Sequence, residues 1–499
     1  MVTTERATYP LGTSRPPLKV ADLPEPEEVF GVRPLRPADV VRRVLGPSLI
    51  ALGISIGSGE WLLGPLNVGT SGFVGIGWII LVSALLQVAY NIEISRYVIA
   101  TGESPIVGWG RVPPGVILWV PFALLALFFA NIWGGWVRGA AEGLFALVSG
   151  RIPGDADEGT VLLFSVLLLL AVLAITMLSR KITRALQLAN LTAIAIQLAF
   201  LLVLCILVVP ADVWLDGLLG FVTPALPPPG TDATLIGGLA GFTALASGLN
   251  WYAMGHYRDQ GYGMGHRVGF LSGLRGERKE VEAVGYTFPD TPENAARWRR
   301  WMYYLKLDQW LVFFGGAMIG MFLPIILMRQ MVLLSGEAPT RDNVVTFVAS
   351  VLGEQYGQLP FYVALFVGFL ILFDTQLGIF EALVRNATDA TLVSPRLTAA
   401  IGRDPRRFYY PFMFALIIVI ALVLRFFQPA SLVLISANMS NFGALFFPFA
   451  LMYLNSRLPK AARPRWWSYV FLVLNVLFFG FFFINFVVNE LTGTALVQF

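Results

Sequence analysis

Ser58-Gly59-Glu60-Trp61 and Ser247-Gly248-Leu249-Asn250-Trp251 nearly repeat one another, and each interrupts an otherwise apolar stretch about as long as a bilayer is thick. Glycine beside polar side chains at membrane depth leaves backbone N–H and C=O groups without helical partners. Lipid cannot satisfy those groups, so such a segment must line a cavity or be buried in protein. Two breaks in corresponding halves of one chain point to the substrate site of a carrier built from inverted repeats.

The composition agrees. Over 499 residues the chain is 56% hydrophobic and 13% charged, with mean hydropathy +0.70, the balance of a polytopic, all-α membrane protein. The single cysteine, Cys205, excludes an internal disulfide. Two histidines, His256 and His266, are too few to build a His/Cys zinc or iron site. No cofactor and no nucleic acid are expected. Residues 1–44 are polar, Pro-rich and basic, and read as a mobile cytoplasmic tail without a signal peptide.

A span needs ~20 mostly apolar residues. Eleven are predicted, at roughly 45–70 (broken), 74–99, 116–148, 160–179, 184–210, 233–256 (broken), 306–333, 360–384, 408–428, 431–456 and 467–489. With the N-terminus placed in the cytoplasm, 30 of the 35 lysines and arginines fall on the inner side, four fall outside, and Arg138 lies within a span. That asymmetry predicts an inner (plasma) membrane protein with its C-terminus outside. Breaks in spans one and six imply two five-helix repeats, and an odd number of helices per repeat inverts the second. The predicted organisation is therefore a tail at 1–44, a first repeat at 45–210 and an outer loop at 211–232. A second repeat at 233–456 contains a cytoplasmic loop at 257–305, and an eleventh helix with an outer C-terminus occupies 457–499.

Gly46-Pro47-Ser48-Leu49-Ile50 running into Gly57-Ser58-Gly59-Glu60-Trp61 resembles the first helix of the Nramp divalent-metal transporters. Leu85-Leu86-Gln87 with Ala100-Thr101-Gly102 matches the second helix of that family, and Gly238 through Thr243 matches its sixth. Thr375 and Gly378 fall in the eighth-helix pattern, and Ser436 to Pro448-Phe449 in the tenth. The resemblance covers roughly residues 45–490 and implies the LeuT-type fold with alternating access. The departures concern the metal. The family's metal-binding Asp falls on Gly57 and its Asn on Glu60, while its Met-Pro-His falls near Leu245-Ala246-Ser247. The third-helix carboxylates linked to proton movement fall near Trp133 and Trp136. The tenth-helix glutamine falls on Ser436, Asn438, Ser440 and Asn441. This is the pattern of a divergent, prokaryotic-type member without the usual metal-binding motifs.

Broken helices expose N–H groups at the inner end of one half, and two such ends facing each other favour an anion. Gly57, Ser58, Gly59, Glu60, Ala246, Ser247, Gly248 and Asn250, with Asn438 and Ser440, are the candidate substrate-binding residues. The bland alternative is that the Ser-Gly pairs only permit close helix packing. A carboxylate at Glu60 costs a few kcal/mol at membrane depth unless solvated, paired or protonated. It could ligate a hard cation, carry a coupling proton, or cap a helix. Asp374 is the second candidate for ion coupling. Asn67, Gln187, Asn190, Trp133 and Trp136 are candidates for the pathway or gate, with helix packing as the plain alternative. Arg138 with Glu142, and Glu381 with Arg385, are spaced for i,i+4 ion pairs.

Three classes of function compete. A membrane enzyme would need a nucleophile–base set or a metal cluster, and two histidines supply neither. A sensor on a transporter scaffold would need a signalling domain, and the tail and the 257–305 loop are short. The expected function is a monomeric secondary transporter for a small inorganic ion. A bicarbonate-type anion moving with H+ or Na+ stands first. A hard divalent cation (Mg2+ or Mn2+) held by Glu60 is the alternative, and a small organic zwitterion is third.

Overall fold

Long runs of Leu, Ile, Val and Phe with almost no charge can satisfy their backbone in lipid only by coiling into helices. A computed structural model describes residues 18–31, 36, 46–178, 182–243, 245, 248–268, 284–341, 343–393, 395–402, 404–425 and 429–497. The main helices are α1 (Pro47–Ser55), α2 (Gly64–Ser71), α3 (Gly77–Thr101), α4 (Val116–Asn131), α5 (Gly135–Ser149), α6 (Glu158–Leu178) and α7 (Ile182–Val208). They continue with α8 (Ala211–Val222), α9 (Ala233–Phe242), α10 (Leu249–Asp259), α11 (Pro292–Leu307), α12 (Gly315–Ser335) and α13 (Val344–Tyr356). The last four are α14 (Gln358–Thr391), α15 (Arg406–Val423), α16 (Pro429–Ser456) and α17 (Trp466–Thr492). Among the described residues nine helices are long and apolar enough to cross a membrane. Two more of the predicted stretches hold shorter apolar helices, Ile194–Val208 within α7 and α9.

The first span differs in form from the predicted break. No helical gap separates α1 from α2; Ile56–Leu63 winds between them as a π-helix. A π turn widens the coil and uses i→i+5 bonds, so the backbone stays paired while the helix bulges. This span is also the innermost. Its most apolar window is 94% buried, against 28% for α15, so the bulge faces protein.

The sixth span is broken as predicted: α9 ends at Phe242 and α10 begins at Leu249. A third discontinuity was not predicted. The stretch 116–148 is two helices, α4 and α5, joined through Ile132–Gly134 with Gly134 in the left-handed region at φ +70°. That conformation is open to glycine at little cost.

Part of the predicted mobile tail is docked. Leu18–Lys19 pairs in parallel with Tyr286–Thr287. Leu23 is buried, and its N–H donates to Asn294 Oδ1 at 3.0 Å. Trp301 Nε1 donates to Pro24 O at 2.7 Å, and Arg297 and Arg300 bind Glu25.

Two predicted local ion pairs give way to longer-range ones. Arg138 binds Glu158 at 3.1 Å and the Leu424 carbonyl at 2.6 Å. Arg385 binds Asp259 at 2.8 Å, across to α10, while Glu381 accepts from Tyr409. Buried cations take the partner that best replaces water, and neighbouring helices offer better geometry than one turn of their own. Glu93 and Arg96 do pair, at 2.8 Å.

Candidate functional site

Glycine shapes the first wall. A Cβ at Gly57 would stand 2.7 Å from the Ile371 carbonyl oxygen and would clash with Thr375 Oγ1, so the π turn of the first span presses directly on α14. Thr375 Oγ1 donates to Gly53 O at 3.1 Å in the same contact. A Cβ at Gly59 would collide with the carbonyl of Phe242 and reach Thr243 N at 3.2 Å. The irregular turn of span one therefore touches the carboxyl end of α9.

At that end Thr243 turns extended, with ψ 121°, and its N–H and Oγ1 both return to Leu239 O. The amino end of α10 is set by Gly248, which has φ +86° and whose missing Cβ leaves room for Leu127 of α4. Asn131, one turn further along α4, donates to Leu127 O at 2.8 Å. The third discontinuity joins in from there. Trp136, in the first turn of α5, is fully buried with its ring 5.7 Å from that of Phe242. Val137 N donates to Gln376 Oε1 at 3.3 Å, which ties the amino end of α5 to α14 beside Thr375.

Three irregular helices thus meet around Phe242, with Thr375 and Gln376 bridging two of them. Two helix amino ends belong to these breaks, α5 at Gly135 beside Phe242 and α10 at Leu249 beside Leu127 of α4. The second amino end comes from span three and not from span one, whose π turn keeps its N–H groups bonded. Opposite lies the carboxyl end of α9, with Glu60 next to the glycine that contacts it. Glu60 is fully buried. Several buried polar atoms near these elements make no hydrogen bond among the described residues: Trp61 Nε1, Trp136 Nε1, Gln376 Nε2, Asn131 Oδ1 and Asn250 Oδ1. Buried polar groups in folded proteins are nearly always paired, so unfilled ones mark places for water or ligand.

The other candidates are distributed differently. Asn250 is fully buried and donates to Gln87 Oε1 at 3.0 Å and Asn91 Oδ1 at 2.6 Å, locking α10 to α3. Asn438 is corrected from ligand to clamp. Its amide donates to Thr234 O and Leu434 O, fastening α16 to the start of α9, where Gly237 makes room for it. Ser440 donates to Ser436 O within its own helix. Asn67 is likewise a clamp, donating to Leu63 O and Leu235 O. Trp133 leaves the wall, because the turn at Gly134 swings it outward to donate to Phe129 O beside an exposed Phe129 ring. Asp374 is buried on α14 next to Thr375. Ala246 and Ser247 lie outside the described residues, as do the side chains of Ser58, Gln187 and Asn190. Sequence reasoning missed Gln376 and the break in span three; the signal was Gly134-Gly135 inside an apolar run too long for one crossing.

No family model and no curated protein matches the sequence. Solved structures do. The chain superposes on the manganese transporter of Eremococcus coleocola, bound to an aromatic bis-isothiourea compound, with TM-score 0.59 at 15% identity over 96% of this chain and 92% of that one. It superposes on MhsT in complex with L-phenylalanine with TM-score 0.54 at 14% identity, over 88% and 98% of the two chains. The fold is that of the LeuT-type transporters, in a divergent Nramp-like form.

Proposed function

We propose that the chain is a secondary transporter that moves a small anion, with bicarbonate the leading candidate, by alternating access, together with H+ or Na+ at Glu60. The observation that carries this reading is the pair of buried helix amino ends made by the breaks in spans three and six: α5, whose Trp136 packs on Phe242, and α10, whose Gly248 packs on Leu127 of α4. Each carries the positive end of a helix dipole, and such ends bind anionic groups at mid-membrane in this fold. Glu60, against the carboxyl end of α9, supplies the negative half where a cation would sit. Gly57 and Leu245-Ala246-Ser247 stand where the resembled family carries its metal-binding Asp and Met-Pro-His, which argues against transition metals as cargo. The chain would act as a monomer without enzymatic activity, in the cell's inner membrane, with the arginine-rich end facing the cytoplasm.

One observation favours a second reading. A buried carboxylate beside a helix carboxyl end is a hard-oxygen environment, and Mg2+ or Mn2+ with retained waters suits it. Proteoliposomes decide between the two. A bicarbonate gradient read by an internal pH dye is expected to give uptake, and a metal-quenched dye no signal. Glu60→Gln is expected to flatten the pH dependence of that uptake. Metal quenching that Glu60→Ala abolishes, with no bicarbonate response, would overturn the anion reading.

Gln376 gives a second test. Gln376→Leu keeps the volume and removes both the acceptor for Val137 N and the free Nε2. Uptake at low substrate is expected to fall about ten- to hundredfold, the scale of one lost buried ligand hydrogen bond. An unchanged KM would place the α5 amino end outside the site.

A further inference from the structure

Asp308 and Gln309 open a second π-helical stretch, Asp308–Phe314, between α11 and α12. Both are fully buried. All the hydrogen bonds of Asp308 fall on one oxygen. Oδ2 accepts from Ser48 N at 3.2 Å, Ser48 Oγ at 2.8 Å and the Tyr257 hydroxyl at 2.6 Å. Gln309 Nε2 donates to the same two hydroxyls, Ser48 Oγ and Tyr257 Oη, each at 2.9 Å. Each hydroxyl thus accepts from Gln309 and donates to Asp308. The two remaining oxygens, Asp308 Oδ1 and Gln309 Oε1, have no hydrogen-bond partner.

We propose that these two oxygens form a site for one hard monovalent cation of the Na+ class, separate from the chamber at Phe242. A buried carboxylate needs a compensating positive charge, and among the described residues none is supplied by the elements packed on it. From α10 and the turn after it the titratable groups facing Asp308 are Tyr257 and Tyr262, and α1 presents Ser48. On α3, Glu93 and Arg96 bind each other, Asn455 and the Ala462 carbonyl. On α11, Lys306 is exposed. A proton on Oδ1, donated to Gln309 Oε1, is the rival occupant, and its signature is a response to acid alone. A metal cation uses both oxygens, and only hard oxygen ligands are needed.

The placement gives the ion something to control. Oδ2 of Asp308 holds the Ser48 N–H, the first N–H of α1, the usual place for a carboxylate on a helix. A cation on Oδ1 draws charge away from that cap. Occupancy would thereby be transmitted to the attachment of α1 to α10 and α11.

Binding requires no knowledge of the substrate, so the test is made on purified full-length protein in detergent, by thermal melting and radioactive sodium binding. Sodium, but not choline, is expected to raise the melting temperature saturably at fixed pH. Asp308→Asn made in a Glu60→Gln background, which removes any ion held at Glu60, is expected to lose that response, and Gly159→Ala to keep it. If Asp308→Asn does not fold, Gln309→Ala retains the carboxylate and is expected to weaken sodium binding at least about tenfold. Equal sodium responses in wild type and both variants overturn the site, as does a wild type that responds to acid alone or to neither. The link to transport rests on the functional reading above. Sodium binding that survives in a protein carrying no solute would sink that reading and leave this site standing.

Discussion

Gly59→Ala is expected to abolish most transport while leaving a folded protein. The new methyl would lie against the carbonyl carbon of Phe242 at 2.7 Å and against Thr243 N at 3.2 Å. Those are backbone atoms at a helix end, so no rotamer change relieves the contact; the π turn and α9 must separate. Overpacking of this kind costs about 1–3 kcal/mol. Where the strain falls on one working conformation, that is roughly a five- to hundredfold shift in its population. Proteoliposome uptake measures the loss, and thermal melting establishes that the variant is folded. Gly159→Ala is the control, since nothing lies within 4 Å of a Cβ there. Its uptake should match wild type. Equal activity of the two variants would mean that the contact between Gly59 and Phe242 does not matter to transport.

The largest stability effect is expected from Arg385→Ala. Arg385 is 4% exposed and holds Asp259 through both carboxylate oxygens, at 2.9 and 2.8 Å. Arg258 adds bonds to Asp259 at 3.1 Å and Asp389 at 3.4 Å, completing a buried lattice between α10 and α14. Removing one partner of such a lattice leaves a carboxylate short of charge in a dry setting. The penalty is about 3–5 kcal/mol. Removing Asp259 as well, as Asn, should return part of it, because an amide tolerates burial where an ion does not. Melting curves of the single and double variants form the cycle that isolates the pair. A double variant no more stable than Arg385→Ala would assign the loss to packing by the arginine stem.

Much of this architecture could be read from residues alone. Apolar runs located the helices, and the Ser-Gly repeat located the two irregular segments that face each other. What could not be read has particular physical causes. A π turn and an α turn differ by one residue per turn, and over eight residues the side-chain pattern of Ile56–Leu63 does not separate them. The break at Ile132–Gly134 hides in a run that is apolar on both sides of the joint. Asp308 falls near the start of the predicted 306–333 span with nothing local to mark it, and its cap on α1 needs a partner 260 positions away. Arg138, Glu142, Glu381 and Arg385 were paired by spacing, and sequence spacing sees only neighbours on one helix. The bonds of Asn67 to Leu235 O and of Asn438 to Thr234 O were illegible for the same reason.

The two halves of the sixth helix are fastened by different chemistry. Asn438 and Asn441 hold α9 through amide bonds to Thr234 O and Gly237 O. Its partner α10 is held at its far end by aspartates and arginines. Carboxamides carry no charge, whereas the other fastening sets Arg258 and Arg385 against Asp259 and Asp389. Pulling α10 from α14 would strand buried ions, whereas α9 would give up only neutral amide bonds to α16, so any rocking should carry α10 along with α14 and pivot at Gly248.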